Sequence, residues 1–158
     1  MRRVSTDLGV ACSVVRAGRL LLVQEAAGPH AGRWGIPKGY VDLNEAPEEA
    51  SKRVLAEEVG LDGTIDGLIG VRTTLTPAGP AIFLCYAMSA PGEVRIDHGE
   101  ISDHTWASPD EFDAVDWLSN TMLSLASASF SQGHLGLIDS TAARGRPYHL
   151  FTNAEVTT

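Results

Sequence analysis

The chain has 158 residues, 44% of them hydrophobic, which is enough for one globular domain with a real core and too few for two. Its 12 basic residues against 20 acidic ones give a net charge of −8 and a pI near 5.0, the wrong sign for gripping a nucleic acid by its backbone, so a small anionic substrate needs a bridging metal. No apolar run is long enough for a membrane span or a secretory signal, since Asp7 interrupts the stretch after Met1-Arg2-Arg3; this predicts a soluble, cytoplasmic protein that meets no membrane.

Residues 8–15 (LGVACSVV) and 19–24 (RLLLVQ) are β-rich, and Arg16-Ala17-Gly18 between them suits a hairpin. Cys12 and Cys85 lie in separate apolar stretches without C-x-x-C spacing and read as buried thiols with no metal or redox signal. Residues 25–33, with Gly28, Pro29 and Gly32, read as a mobile loop that leads to Trp34 and borders the site.

Residues 39–61 (GYVDLNEAPEEASKRVLAEEVGL) read as a loop feeding a helix over 45–59. Asn44 is the predicted N-cap, and Glu45, Glu48 and Glu49 put negative charge in the first turn, where the dipole favours it. Pro47 is tolerated there, and Gly60 supplies a left-handed stop. Helical spacing sets Arg53 beside Glu57, and Val54 beside Glu57 and Glu58. Adjacent carboxylates at the end of a helix oppose each other and the dipole unless a cation compensates. A hard divalent ion suits them, because it takes a few carboxylates together with water and phosphate oxygens.

Residues 64–74 and 81–88 read as a second strand pair around the turn residues Pro77, Gly79 and Pro80, followed by a polar loop over 90–99 and a strand over 101–107. A short helix over 110–114 and an amphipathic one over 115–130, with Trp117, Leu118, Met122, Leu125 and Ala126 near helical spacing, come next and cover the sheet. Residues 131–158 have weak periodicity; 148–152 fits an edge strand, a contact with a neighbouring subunit or a loose tail, and the sequence does not choose. The five histidines, His134 among them, lack metal-ligand spacing, and Gly32, Gly35 and Gly39 near Lys38 lack the G-K-[ST] ending of a P-loop.

The 39–61 stretch resembles the Nudix box, G-x(5)-E-x(7)-R-E-U-x-E-E-x-G-U, where U is a bulky aliphatic residue. Gly39, Glu45, Arg53, Leu55, Glu57, Glu58, Gly60 and Leu61 fall at its positions, and Trp34-Gly35-Ile36-Pro37-Lys38 is similar to the family's W-x-x-P-K lead-in. The resemblance implies an α/β fold, a Nudix-like α/β/α sandwich with a central mixed β-sheet, as one domain over 1–158 with 131–158 a C-terminal extension. It implies metal-dependent hydrolysis of a nucleoside diphosphate linked to another moiety. Glu57 and Glu58 are then metal ligands, Gly39 lends a carbonyl and lets the loop approach the metal, Arg53 orients the acids, and Mg²⁺, or Mn²⁺, is the cofactor. Val54 departs from the pattern: it stands where relatives carry a glutamate that commonly binds metal or activates water. Glu100, upstream of a strand ending in Trp106 and a short helix, resembles the family's arrangement and is the best source of the missing carboxylate, as ligand or base, with Asp97 and Asp103 competing.

Lys38 and Arg33 are candidates to meet phosphate or are solvated charges, and Trp34 either stacks on a base or caps the core. The alternative reading keeps the fold without the reaction, as a nucleotide-binding or sensing module whose site decayed with the loss of the glutamate. The expected partner is a small nucleotide selected by loops 25–33, 77–80 and 90–99. The family also admits a homodimer, which nothing local demonstrates.

Overall fold

The computed structural model describes residues 1–131 and 135–153. Its organising strand is β1 (Asp7–Arg16), which sends Val10, Cys12 and Val14 to one side and Ala11 to the other and is buried on both. The strand enters a tight hairpin with β2 (Arg19–Glu25), and the two connecting residues both take positive φ, 49° at Ala17 and 75° at Gly18, as a two-residue turn matched to strand twist requires.

One edge of β1 is shared: residues 9–11 pair antiparallel with β4 (Lys38–Tyr40), and its last two residues with β2. The other edge runs parallel to β6 (Gly79–Ser89) from Asp7 opposite Ala81 to Val14 opposite Met88. β5 (Thr64–Thr76) folds back on β6 as a long hairpin with two register shifts. β2 also carries β3 (Trp34–Gly35) and β7 (Ile101–Ala107). With β8 (Gly136–Asp139) and β9 (Tyr148–Thr152), the order among the described residues is β3-β2-β1-β6-β5-β9-β8, β4 branching from β1 and β7 from β2. This is the mixed sheet of the expected α/β class.

α1 (Pro47–Val59) packs Ala50, Val54, Leu55 and Val59 on the face that carries Val10, Cys12, Tyr86 and Met88. α2 (Asn120–Ala128) closes the opposite face with Met122, Leu125 and Ala126 over Ala11, Cys85 and Leu150. Both cysteines are buried and unbridged, and burial pushes both thiols well above their usual range, which leaves them inert. Among the described residues, no helix is long and apolar enough to cross a membrane.

Three predicted elements differ from the observed ones. The box helix starts at Pro47, and its N-cap is Ala46 rather than Asn44. The Ala46 N–H donates to the Glu49 carboxylate at 3.2 Å, while the Asn44 N–H bonds the Asp42 side chain at 3.2 Å and Glu45 is held in the loop by Arg53. The amphipathic helix expected over 115–130 shrinks to Asn120–Ala128, because the preceding backbone is spent on β3: the Trp34 N–H donates to the Asp116 carbonyl at 2.9 Å, and the Leu118 N–H to the Trp34 carbonyl at 2.8 Å. Ser119 then caps the helix by accepting from the Met122 N–H at 3.1 Å. The short helix is a 3₁₀ turn over Pro109–Ala114.

Within the C-terminal part, β9 lies between β5 and β8, an interior strand rather than an edge one, with α3 (Thr141–Arg144) in the connection. Residues 132–134 and 154–158, and so His134, lie outside the described residues.

Candidate active site

Arg53 ties the box loop to the box helix. Its Nε donates to Glu45 Oε2 at 3.1 Å, its Nη2 to Glu45 Oε1 at 2.6 Å and to the Tyr40 carbonyl at 2.8 Å, and its Nη1 to Glu57 Oε2 at 3.2 Å. The fork suits a guanidinium and no other side chain. The Arg53 hydrogen bonds, with help from the Asp42 N–H, hold the Glu45 carboxyl below its ordinary range, and Glu45 in turn pushes the guanidinium further up. Glu57 is tethered at one oxygen while its side chain stays 62% exposed.

Glu58 is the contrasting acid. It is 8% exposed, and its Oε2 is buried with no hydrogen-bond partner. Burial pushes its carboxyl up to about 8, with Glu25 and Glu100 adding to the shift and Lys38 opposing it. Glu57, Glu58, Asp97 and Glu100 line a pocket of about 160 Å³. The 90–99 loop is fastened there by the Arg95 N–H on the Val59 carbonyl, at 2.8 Å, and the Asp97 N–H on the Glu58 carbonyl, at 3.4 Å.

Among the described residues, no three His, Cys, Asp or Glu side chains are gathered closely enough to hold a metal ion by themselves. An orphaned, buried carboxylate oxygen beside further acids nevertheless fits Mg²⁺, which commonly takes one or two carboxylates and completes its shell with water and substrate phosphate. The donor set is all oxygen, as such an ion requires.

Glu25 was missed as a member of this group by sequence reasoning, which placed it only in a loop bordering the site. It faces Ile101 across a register shift at the end of β2, and no motif spacing signals that. Its carboxylate pairs with Lys38 Nζ at 3.0 Å, so the lysine expected at phosphate lies against an acid. Val54 is 3% exposed in the core, and its Cγ2 fills the space beside Gly39, where an added Cβ would come within 2.6 Å of it. Gly39 itself stands opposite Val10 in the β1–β4 ladder.

Two expected substrate contacts lie apart. Trp34 is half-buried against the core under α2, and exposed Arg33 is held through its backbone hydrogen bonds. Lys38, Gly39 and Tyr40 border a larger cleft of about 430 Å³ toward α2, whose lining does not include Trp34 or Arg33.

Residues 6–126 match the NUDIX domain family model. A MutT-like protein of Streptomyces ambofaciens is 33% identical over 106 residues, covering 66% of this chain and 66% of that protein. The human mitochondrial NAD(P)H pyrophosphatase is 31% identical over 105 residues, 65% of this chain and 30% of its own length. The chain thus spans less than two thirds of either curated relative. The crystal structure of a MutT NUDIX hydrolase from Burkholderia pseudomallei superposes with a TM-score of 0.64 at 26% identity, covering 77% of this chain and 96% of that one.

Proposed function

The chain belongs to the NUDIX domain family, and from that premise we propose that it hydrolyses a phosphoanhydride bond in a nucleoside diphosphate linked to a second moiety, at a divalent cation held by Glu57 and Glu58 with water and substrate oxygens completing its shell. The observation that carries this reading is the Glu58 carboxylate: buried, lacking a partner at Oε2, and set among other acids, it is costly as it stands and stabilised by a cation. Mg²⁺ or Mn²⁺ bound there supplies neutralisation of charge on the diphosphate oxygens and acidifies a water.

The chain's own residues supply the rest. Arg53 is a positioning residue: it holds Glu57 toward the pocket and, through Glu45 and the Tyr40 carbonyl, fixes the loop that carries Gly39. Gly39 keeps the backbone slim beside Val54 and offers its carbonyl to the cation. Glu100, exposed at the pocket rim, accepts the proton of the attacking water. The water oxygen bonds to phosphorus, the bridging P–O bond breaks with its electron pair left on the bridging oxygen, and a nucleoside monophosphate and a phosphorylated second moiety depart. In this reading Lys38, which borders the larger cleft, exchanges its pairing with Glu25 for a phosphate oxygen of the substrate.

A second reading, a module that binds nucleotide without turning it over, draws on Val54, an apolar side chain in the segment where relatives supply an acid. One assay separates the two. Purified protein is incubated with nucleoside triphosphates, sugar nucleotides and dinucleotides in Mg²⁺ or Mn²⁺, and monophosphate release is measured beside calorimetric binding. Turnover that Glu58→Gln abolishes supports the hydrolase; binding without turnover under either metal supports the module.

A further inference from the structure

The larger cleft is basic and aromatic at the end away from the box, in a chain whose net charge is −8. Across the sheet, Tyr40, Gly9, Phe83 and Arg72 stand in register on β4, β1, β6 and β5, so the row from the box loop to Arg72 spans three strand spacings, about 14 Å. At its far end three arginines line the cavity, Arg72 from β5, Arg144 from α3, and Arg146 just before β9. Among the described residues none of the three has a carboxylate within 4.0 Å or a side-chain hydrogen bond, and Arg72 Nε is buried without a partner. Asp7 is the one acid among the lining residues.

Two of the three guanidinium groups lie against rings instead. Arg72 sits 5.5 Å from the Phe83 ring centre and 5.9 Å from that of Tyr148, and Arg144 lies 4.3 Å over Tyr148. The Tyr148 hydroxyl bonds Thr121 on α2, which fixes the ring. Stacking through the π-face leaves the N–H edges of a guanidinium available, the arrangement that grips a phosphate in bidentate fashion.

We propose that Arg72, Arg144 and Arg146 form a phosphomonoester subsite that selects substrates carrying a terminal phosphate on the moiety beyond the diphosphate. This rests on the hydrolase reading for the position of the diphosphate, near Gly39. A single diphosphate is too short to engage both the box loop and Arg72, so the arginines meet a separate anion. Arg144 and Arg146 lie past residue 126, outside the stretch that matches the family model.

NADP⁺ and NAD⁺ share one diphosphate and differ by one phosphate ester, which makes them a matched pair. Two readouts are taken on the wild type and on the exposed double variant Arg144→Gln/Arg146→Gln. The first is metal-free calorimetry with ribose 5-phosphate, ribose and inorganic phosphate; the second is kcat/KM for NADP⁺ and NAD⁺. Expected are binding of ribose 5-phosphate at least tenfold tighter than of ribose, weakening with salt, and at least a tenfold fall in the NADP⁺/NAD⁺ ratio of the variant, carried by KM. Arg72→Lys, which keeps the charge and loses the fork, lowers the same ratio.

Ribose 5-phosphate binding no tighter than ribose overturns the subsite. Inorganic phosphate binding as tightly as ribose 5-phosphate assigns the arginines to free phosphate and overturns the substrate role. An unchanged NADP⁺/NAD⁺ ratio does the same, with the arginines serving the scissile diphosphate or the wall. The absence of turnover of any dinucleotide strikes at the hydrolase reading alone, since calorimetry still decides the subsite.

Discussion

Glu58 offers a thermodynamic test that needs no substrate. Burial, with smaller contributions from Glu25 and Glu100, raises its carboxyl from 4.5 to about 8 in the folded protein. An acid whose folded pKa lies above its unfolded one binds its proton more tightly when folded. Its stabilising contribution is therefore complete below pH 4.5 and is lost as pH rises through about 8. At about 1.4 kcal/mol per pH unit, the loss reaches about 3 kcal/mol by pH 7 and about 5 kcal/mol beyond pH 8. Glu58→Gln keeps the shape and removes the titration. Urea unfolding followed by tryptophan fluorescence in EDTA from pH 5 to 8.5 should show the wild type losing several kcal/mol relative to the variant. Adding Mg²⁺ or Mn²⁺ should restore the wild type most strongly at the alkaline end, where the carboxylate is charged, and leave the variant little changed. Parallel pH profiles for the two proteins in EDTA, or equal stabilisation of both by metal, would refute the claim that this carboxylate awaits a cation.

The same geometry sets three further outcomes. Val54→Glu puts a carboxylate one helical turn from Glu58, so Mg²⁺-dependent turnover should rise while the metal-free protein loses about 2–4 kcal/mol in denaturant melts; no gain in turnover counts against the metal assignment. Gly39→Ala forces a methyl within 2.6 Å of Val54 Cγ2 and should cost about 1–3 kcal/mol, part of it recovered in Gly39→Ala/Val54→Ala, so strictly additive effects in the double-mutant cycle would show the contact to be soft. Arg53→Ala frees Glu57 and unlatches the Glu45 loop; because the fork is partly exposed, stability should fall by less than about 1 kcal/mol while kcat falls at least tenfold, and Arg53→Lys should fail to rescue it.

The box acids and the arginine cluster differ in how they are written in the chain. Arg53, Glu57 and Glu58 lie within six residues on one helix, so helical periodicity alone brings them together, and a motif can carry them. The strands were legible for a similar reason, because runs such as 9–14 that are buried on both faces are locally apolar. Where sequence reading failed, a long-range pairing had overridden a local signal. Residues 115–118 look helical by composition yet give their backbone to β3, and Glu25 joins the acids only through a register shift opposite Ile101. The arginine end is the extreme case: residues 72, 144 and 146 converge only once β9 has docked on β5, with Thr74 opposite Tyr148, and no spacing rule links them. In the proposed hydrolase the two acids that hold the cation therefore come from a single helix, while the proposed phosphate subsite is built from side chains that only the register of the sheet assembles. Chains that share the box can therefore diverge freely in substrate, since a shift of one residue in the β5–β9 pairing would turn Tyr148 to the opposite face and leave Glu57 and Glu58 where they are.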